Sequence, residues 1–419
     1  MSGQTGDIVA SIYAGLGPGF PRKLGVALSG GSDSTAVMVA LAQGRTAHDT
    51  EIFAATVDHG LRPEAAQEAR LAGDCAQRFG VPHEILKWGD WDGRGNLQDK
   101  ARTARYALLA DWAVRRGLGA VVLGHTADDQ AETVLMRLGR SAGVDGLSGM
   151  AARRIVHNVT FLRPALGLRR ATLRDFLTEH GTGWTDDPSN DNTRFERVRV
   201  RGLLPNLEDA GITVEALADT AENMRDARAA LDWFTFTTAR DHSQVIGGAV
   251  AVDKRAFRTF PTEIARRLMI GALRWVGGGT YPPRRDALGR LIAQVRRSDA
   301  ASTLGGCTVF GAGGRIWIAR ELDAVRDLCA SGDGAWDGLW QITGRNPGDA
   351  AELRVLGAAG LEQFPDWRDI GVPRGVLLSL PALWMGDHVL ATPLLRDGKD
   401  TRIDRIGGAD DFFATLLSH

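Results

Sequence analysis

The chain has 419 residues, 44% hydrophobic and 24% charged, which suits a soluble globular protein long enough for two or three domains with separate cores. The N-terminal Met-Ser-Gly-Gln-Thr-Gly-Asp lacks the features of a secretory signal, no apolar run reaches bilayer length, and Cys75, Cys307 and Cys329 form no Cys-x-x-Cys pair. A membrane span, a disulfide framework and a cysteine-held metal are therefore not suggested, a cytoplasmic location is expected, and a net charge of −1 argues against indiscriminate coating of nucleic acid.

The first half alternates strands and helices. Residues 24–29 read as a buried strand, 35–42 as a helix, 52–57 as a strand, and 63–79 as a helix with Pro63 suited to its first turn. Residues 83–88 read as a strand, 99–115 as a helix, 120–124 as a strand and 126–140 as a helix, followed by an extended segment at 160–164 and a helix at 170–180. This pattern predicts an α/β fold: a doubly wound, mostly parallel sheet covered on both faces, with ligands at the carboxyl ends of its strands.

Beyond Pro205 the composition shifts. Leu217, Ala221, Met224, Leu231 and Phe234 recur at helical steps, and residues 264–276 and 286–295 also look helical. Segments at 308–310, 315–319, 336–342 and 382–390 lie between Gly-rich turns and fit an α+β or β-rich region. The expected organisation is a catalytic domain over 1–205, a helical middle domain over 206–305, and a smaller C-terminal α+β domain over 306–419.

Four segments follow predicted strands at the end where such a sheet binds ligands. In Ser29-Gly30-Gly31-Ser32-Asp33-Ser34, an apolar strand enters a tight turn that opens a helix. Backbone N–H groups and the positive end of the helix dipole then meet at one point, a geometry suited to phosphate. Gly30 and Gly31 permit close approach, Ser29, Ser32 and Ser34 supply hydroxyls, and Asp33 caps the helix or holds a metal. The turn lacks the Gly-Lys-Ser/Thr of a Walker loop and the Gly-x-Gly-x-x-Gly of a dinucleotide fold. An ordinary glycine turn is the plain alternative.

The second segment is Val57-Asp58-His59-Gly60-Leu61-Arg62, the third runs from Asn96 to Tyr106, and the fourth is Gly124-His125-Thr126-Ala127-Asp128-Asp129-Gln130-Ala131-Glu132-Thr133. Asp129 and Glu132 share a helix face, where they offset the dipole, bind magnesium or bind a cationic substrate. Arg102 and Arg105 clamp a phosphate or are solvated helix charges. His59 and His125 are either structural or functional, each following a strand at the same end of the sheet.

The Ser29–Ser34 turn resembles the pyrophosphate loop of the PP-loop ATP pyrophosphatases. The segments beginning at Val57 and Gly124 are similar to those of the tRNA(Ile)-lysidine synthetase family. So are Arg140-Ser-Ala-Gly-Val-Asp-Gly-Leu-Ser-Gly-Met150, Arg163-Pro164, Asp187-Pro188-Ser189-Asn190 and Arg194-Phe195-Glu196-Arg197. The resemblance covers about residues 20–205, in order. It implies an enzyme that adenylates the C2 oxygen of the wobble cytidine in the CAU anticodon of an isoleucine tRNA. Free L-lysine then displaces AMP, which forms a carbon–nitrogen bond.

ATP and Mg2+ are the implied cofactors, with Asp33 holding the metal. Asp33, Arg102, Arg105, His125, Asp129 and Glu132 are the implied catalytic residues. Ser29, Gly30, Gly31, Ser32, Asp33, Ser34, Asp58 and His59 are the implied nucleotide contacts. Arg194, Arg197, Arg199 and Arg201 follow an RNA backbone or form a solvated loop, and the C-terminal regions hold tRNA; a homodimer stays open. His125-Thr126 stands where many relatives have two histidines, and Val198 follows Arg197 where asparagine is common. Another PP-loop enzyme, such as a tRNA thiolase or an amide-forming synthetase, is the alternative, although no Cys-x-x-Cys pair or glutaminase module is visible. An inactive RNA-binding relative and a nucleotide-binding regulator explain the motifs less well.

Overall fold

The computed structural model describes residues 2–60, 65–89, 97–185, 193–331, 334–344, 351–398 and 400–417. Leu61, Arg62, Pro63, Asn96 and the Asp187–Asn190 motif lie outside the described residues. Two compact units divide the chain, Met1–Arg228 and Ala229–His419.

In the first unit the order is α1 (Ser2–Gly15), β1 (Lys23–Ala27), α2 (Ser32–Gly44), β2 (Glu51–Asp58), α3 (Ala65–Arg78), β3 (His83–Lys87) and α4 (Leu97–Arg116). It continues with β4 (Ala120–Val122), α5 (Ala127–Leu138), α6 (Val144–Leu147), β5 (Arg153–Val156), β6 (Val159–Leu162), α7 (Arg170–Glu179) and α8 (Glu196–Asp209). The long helix α9 (Val214–His242) contains the boundary between the units. The strand order is β3-β2-β1-β4-β6-β5, parallel throughout except for the antiparallel edge strand β5.

The predicted doubly wound sheet is thus present, and alternation along its strands explains its two cores. Val26 and Val122 join one cluster with α1, α2 and α7, whereas Ala27, Val121 and Leu123 join another with Tyr106, Leu109 and Trp112 of α4. Helix α2 is apolar nearly all round because it is covered twice: the sheet lies beneath it, and α1 and α7 pack against it. The strand order reverses between β1 and β4, so the segments leaving those strands diverge and open a crevice at their carboxyl ends.

The second unit contains β7 (Ser243–Ile246), β8 (Ala249–Asp253), α10 (Lys254–Thr259), α11 (Thr262–Gly277), α12 (Arg285–Arg297), β9 (Ser302–Leu304), β10 (Cys307–Ala312) and β11 (Arg315–Arg320). Leu288, Leu291, Ile292 and Val295 give α12 its buried stripe. The predicted segment at 382–390 is a hairpin of Pro381–Met385 and His388–Ala391, turning at Gly386 with φ +57°.

Two of the expected boundaries change. Residue 205 lies inside α8. Residue 305 lies in the turn joining β9 to β10 of an antiparallel sheet ordered β7-β8-β11-β10-β9, in which Val250–Asp253 pair with Arg315–Ile318. The stretch 206–305 is therefore not purely helical and does not close on itself. Its strand β8 pairs with β11 far along the chain, beyond the reach of local periodicity.

Candidate active site

The turn after β1 is knitted together by a buried hydroxyl. Ser34 Oγ accepts from Ser29 N at 3.1 Å, lies 3.0 Å from Ser29 Oγ, and donates to Gly31 O at 3.2 Å. Gly30 has φ +84°, a left-handed conformation that favours glycine, and Gly31 caps α2 without a side-chain acceptor. The loop leaving β4 seats directly on this turn: a Cβ on Gly124 would stand 2.7 Å from Ser34 N and Cα. Helix α2 begins at Ser32, earlier than predicted, so Ser32, Asp33 and Ser34 form its first turn.

An acidic cluster flanks that turn. Thr126 and Asp129 form a capping box at the start of α5, with Thr126 N donating to Asp129 Oδ2 at 2.9 Å. Asp129 therefore caps its helix and still presents Oδ1 elsewhere. Arg170, the first residue of α7, gathers the carboxylates. Its Nε donates to Asp33 Oδ2 at 2.9 Å, its Nη2 donates to Asp129 Oδ1 at 3.2 Å, and its Nη1 lies 3.8 Å from Glu132 Oε1.

Glu132 is fully buried, with Arg201 Nε 2.7 Å from Oε1 and Arg197 Nε 2.9 Å from Oε2. The Arg197 contact is not aligned as a hydrogen bond, so Oε2 accepts none. Burial raises the Asp33 carboxyl against the opposing pull of Arg170, and burial together with Asp129 raises Glu132. For Asp129, burial is outweighed by Arg170, the Thr126 backbone hydrogen bond and Arg197, and its pKa is lowered.

Beside the cluster, a cavity of about 200 Å³ is lined by His59, Ala101, Arg102, Arg105, Tyr106, Leu109, Leu123 and His125. His125 Nδ1 accepts from Arg163 Nε at 3.2 Å, so the neutral ring carries its proton on Nε2. Burial, with Arg163, Arg105 and Arg197 adding to it against Asp129, lowers the His125 pKa to about 3. His59 packs edge-on against Trp88, its buried Nδ1 has no hydrogen-bond partner among the described residues, and burial and Arg105 lower its pKa. Arg102 lies over the Tyr106 ring. Among the described residues no carboxylate lines this cavity, which leaves its guanidiniums to face an anion.

These residues fit ATP and magnesium. The α2 N-terminus and the Arg102–Arg105 pair suit phosphates, and Asp33 offers the single carboxylate that magnesium needs when phosphate oxygens complete its shell.

Residues 9–207 match the family model described as a PP-loop domain. Over 413 residues the chain is 48% identical to a tRNA(Ile)-lysidine synthase from Ruegeria pomeroyi, covering 99% of this chain and 98% of that protein. A tRNA(Ile)-lysidine synthase from Wolbachia pipientis wMel is 30% identical over 399 residues, 92% of each chain. One from Methylobacterium nodulans is 39% identical over 317 residues, covering 73% of this chain and 92% of that protein. The chain belongs to the tRNA(Ile)-lysidine synthase family.

Within this family member the expected site residues separate into two groups. Asp33 of the turn, Asp129 and Glu132 meet around Arg170, whereas His59, Arg102, Arg105 and His125 meet around the cavity. Asp58 is spent locally: its Oδ1 accepts from Gly60 N at 2.9 Å. Arg197 and Arg201, expected to follow an RNA backbone, are placed by α8 within ion-pair distance of Glu132. Arg194 and Arg199 remain exposed, and Arg199 donates to Thr193 O and Arg194 O.

Arg170 and Arg163 were not assigned roles from the sequence. One local signal exists for Arg170. Helix α7 starts with Arg169 at its N-cap and Arg170, has no acidic residue in its first turn, and so places positive charge at the wrong end of the dipole. Asp128 resolves the conflict, with its Oδ2 accepting from Arg170 N at 2.7 Å.

Proposed function

We propose that the protein joins L-lysine to the wobble cytidine in the CAU anticodon of an isoleucine tRNA, in the cytoplasm, consuming ATP and releasing AMP and pyrophosphate. The observation that carries this reading is the 48% identity, over nearly the whole of both chains, with a tRNA(Ile)-lysidine synthase. The site supports both halves of the chemistry.

In the first half the cytidine C2 oxygen attacks the α-phosphorus and pyrophosphate departs. In the second half the unprotonated ε-amine of lysine attacks C2, and AMP leaves with that oxygen. Adenylation turns a poor leaving group into a good one. Gly30, Gly31 and the first turn of α2 hold the departing phosphates, and Arg102 and Arg105 meet negative charge beside them. Magnesium at Asp33 supplies charge neutralisation as pyrophosphate leaves.

His125, neutral with its proton on Nε2, offers a hydrogen bond without a second positive charge. Asp129 stays ionised and suits an ammonium group of lysine. Glu132, raised by burial, is the better proton acceptor of the two. The reacting base must lie out of the stack, which an anticodon loop permits at small cost. Exposed Arg194 and Arg199 suit the tRNA backbone, and Ala229–His419 is the part assigned to holding the rest of the tRNA.

The test is to incubate the full chain with ATP, magnesium, labelled lysine and unmodified isoleucine tRNA bearing CAU. Label in the tRNA with lysine-dependent AMP release is expected. No label in the tRNA would sink the reading, and lysine-independent AMP release would move the enzyme to another PP-loop chemistry.

A further inference from the structure

Three carboxylates, Asp33, Asp129 and Glu132, face three guanidiniums, those of Arg170, Arg197 and Arg201. The cluster is thus electrically balanced before any substrate arrives. A cationic amino acid gains little from a balanced site, so one guanidinium has to leave before an ammonium group is attracted.

The three arginines are not equivalent. Arg197 and Arg201 pair only with Glu132 within the cluster, whereas Arg170 spans from Asp33, in the first turn of α2, to Asp129 and Glu132 on α5. It therefore touches the carboxylate proposed for magnesium and both of those proposed for lysine. Its side chain is only 17% exposed, and its charge is strongly favoured: burial opposes ionisation, but Asp33 and Asp129 outweigh it and raise the pKa.

We infer that Arg170 makes lysine binding conditional on nucleotide, by occupying the lysine carboxylates until ATP and magnesium draw it away. A divalent cation at Asp33 removes the Nε partner of Arg170 and repels its guanidinium. Phosphates on the adjoining α2 N-terminus offer that guanidinium a new bidentate acceptor. Once Arg170 turns to the phosphates, Asp129 and Glu132 lose one positive charge, and the Asp129 Oδ1 it vacates can receive an ammonium beside Glu132. The order of binding follows: nucleotide first, then lysine. Linkage requires the reverse effect as well, so lysine tightens nucleotide binding by the same factor. The inference rests on reading Asp129 and Glu132 as the lysine site.

Calorimetric titration of the full chain with L-lysine tests it, with and without magnesium and α,β-methylene-ATP, whose α–β linkage cannot be cleaved. Wild-type protein is expected to bind lysine about tenfold more tightly with the nucleotide than without it. Arg170→Gln is expected to bind lysine without nucleotide about as tightly as the wild type does with it. Equal lysine affinity of the wild type in both conditions overturns the inference without recourse to any variant. A nucleotide dependence that survives in Arg170→Gln, with thermal unfolding confirming a folded protein, overturns it too. Asp129→Asn separates the two ideas. If it binds lysine normally in the presence of nucleotide, the lysine site lies elsewhere, and the reading beneath the inference fails on its own account.

Discussion

The two halves of the site solve opposite electrostatic problems within one crevice. Around Arg170 every carboxylate has a guanidinium within ion-pair distance, and the fully buried Glu132 has three. Around the neighbouring cavity Arg102 and Arg105 face no carboxylate among the described residues, and the two histidines are held neutral by burial with Arg105 adding to it. A balanced cluster stabilises the folded chain and must exchange a partner to bind a ligand. An unbalanced one costs stability in the free protein and gains its counter-ion from the ligand. The contrast suits an anion at the cavity and a cation at the cluster, as the proposed reaction of ATP with lysine requires.

The largest expected effect falls on the balanced side. Glu132→Ala leaves Arg197 and Arg201 without their shared carboxylate, and losing one partner of a buried charge pair costs about 3 kcal/mol. A urea-unfolding midpoint that falls accordingly would fit, and an unchanged midpoint would show that the cluster contributes no stability. On the unbalanced side the sign reverses. Arg105 has no hydrogen-bond or ion-pair partner among the described residues, and burial lowers its pKa. Arg105→Gln should therefore unfold no earlier than wild type while binding nucleotide roughly tenfold more weakly, the loss of one charge-assisted hydrogen bond. A clear loss of stability in that variant would mean that Arg105 has a structural partner and would erase the contrast.

How much of this is legible in the sequence follows from how local each feature is. The Ser29–Ser34 turn and the β–α alternation are written in consecutive residues, and they appear where the pattern places them. The pairing of Arg170 with Asp33 spans 137 positions, and that of Arg201 with Glu132 spans 69. No periodicity encodes such a contact. Helix α8 shows the same limit: read alone, its arginines look like a solvated or RNA-facing row, and only the buried Glu132 gives two of them an inward role. The pairing of β8 in the second unit is illegible for a related reason, since β8 is too short to announce itself and pairs with β11 far along the chain.

The smallest expected effect lies at the seam between the two halves. His125 borders the cavity, and Asp129 and the arginines act on it in opposite directions. Its pKa falls from 6.5 to about 3 in the folded chain. Between those values the unfolded chain binds a proton that the folded chain refuses, so unfolding is promoted as the pH drops. The stability that His125 contributes is complete above its ordinary pKa and is lost progressively as the pH falls toward the lowered value. With part of the ring open to the cavity, a loss of order 1 kcal/mol between about pH 7 and about pH 5.5 is expected from this residue. His125→Gln should flatten that part of the stability profile, and nitrogen chemical shifts of the wild-type ring should still report a neutral Nε2–H form at about pH 5.5. A ring that protonates near its ordinary pKa would mean that the Asp129 side governs it, and the seam would then belong to the acidic cluster instead of the cationic cavity.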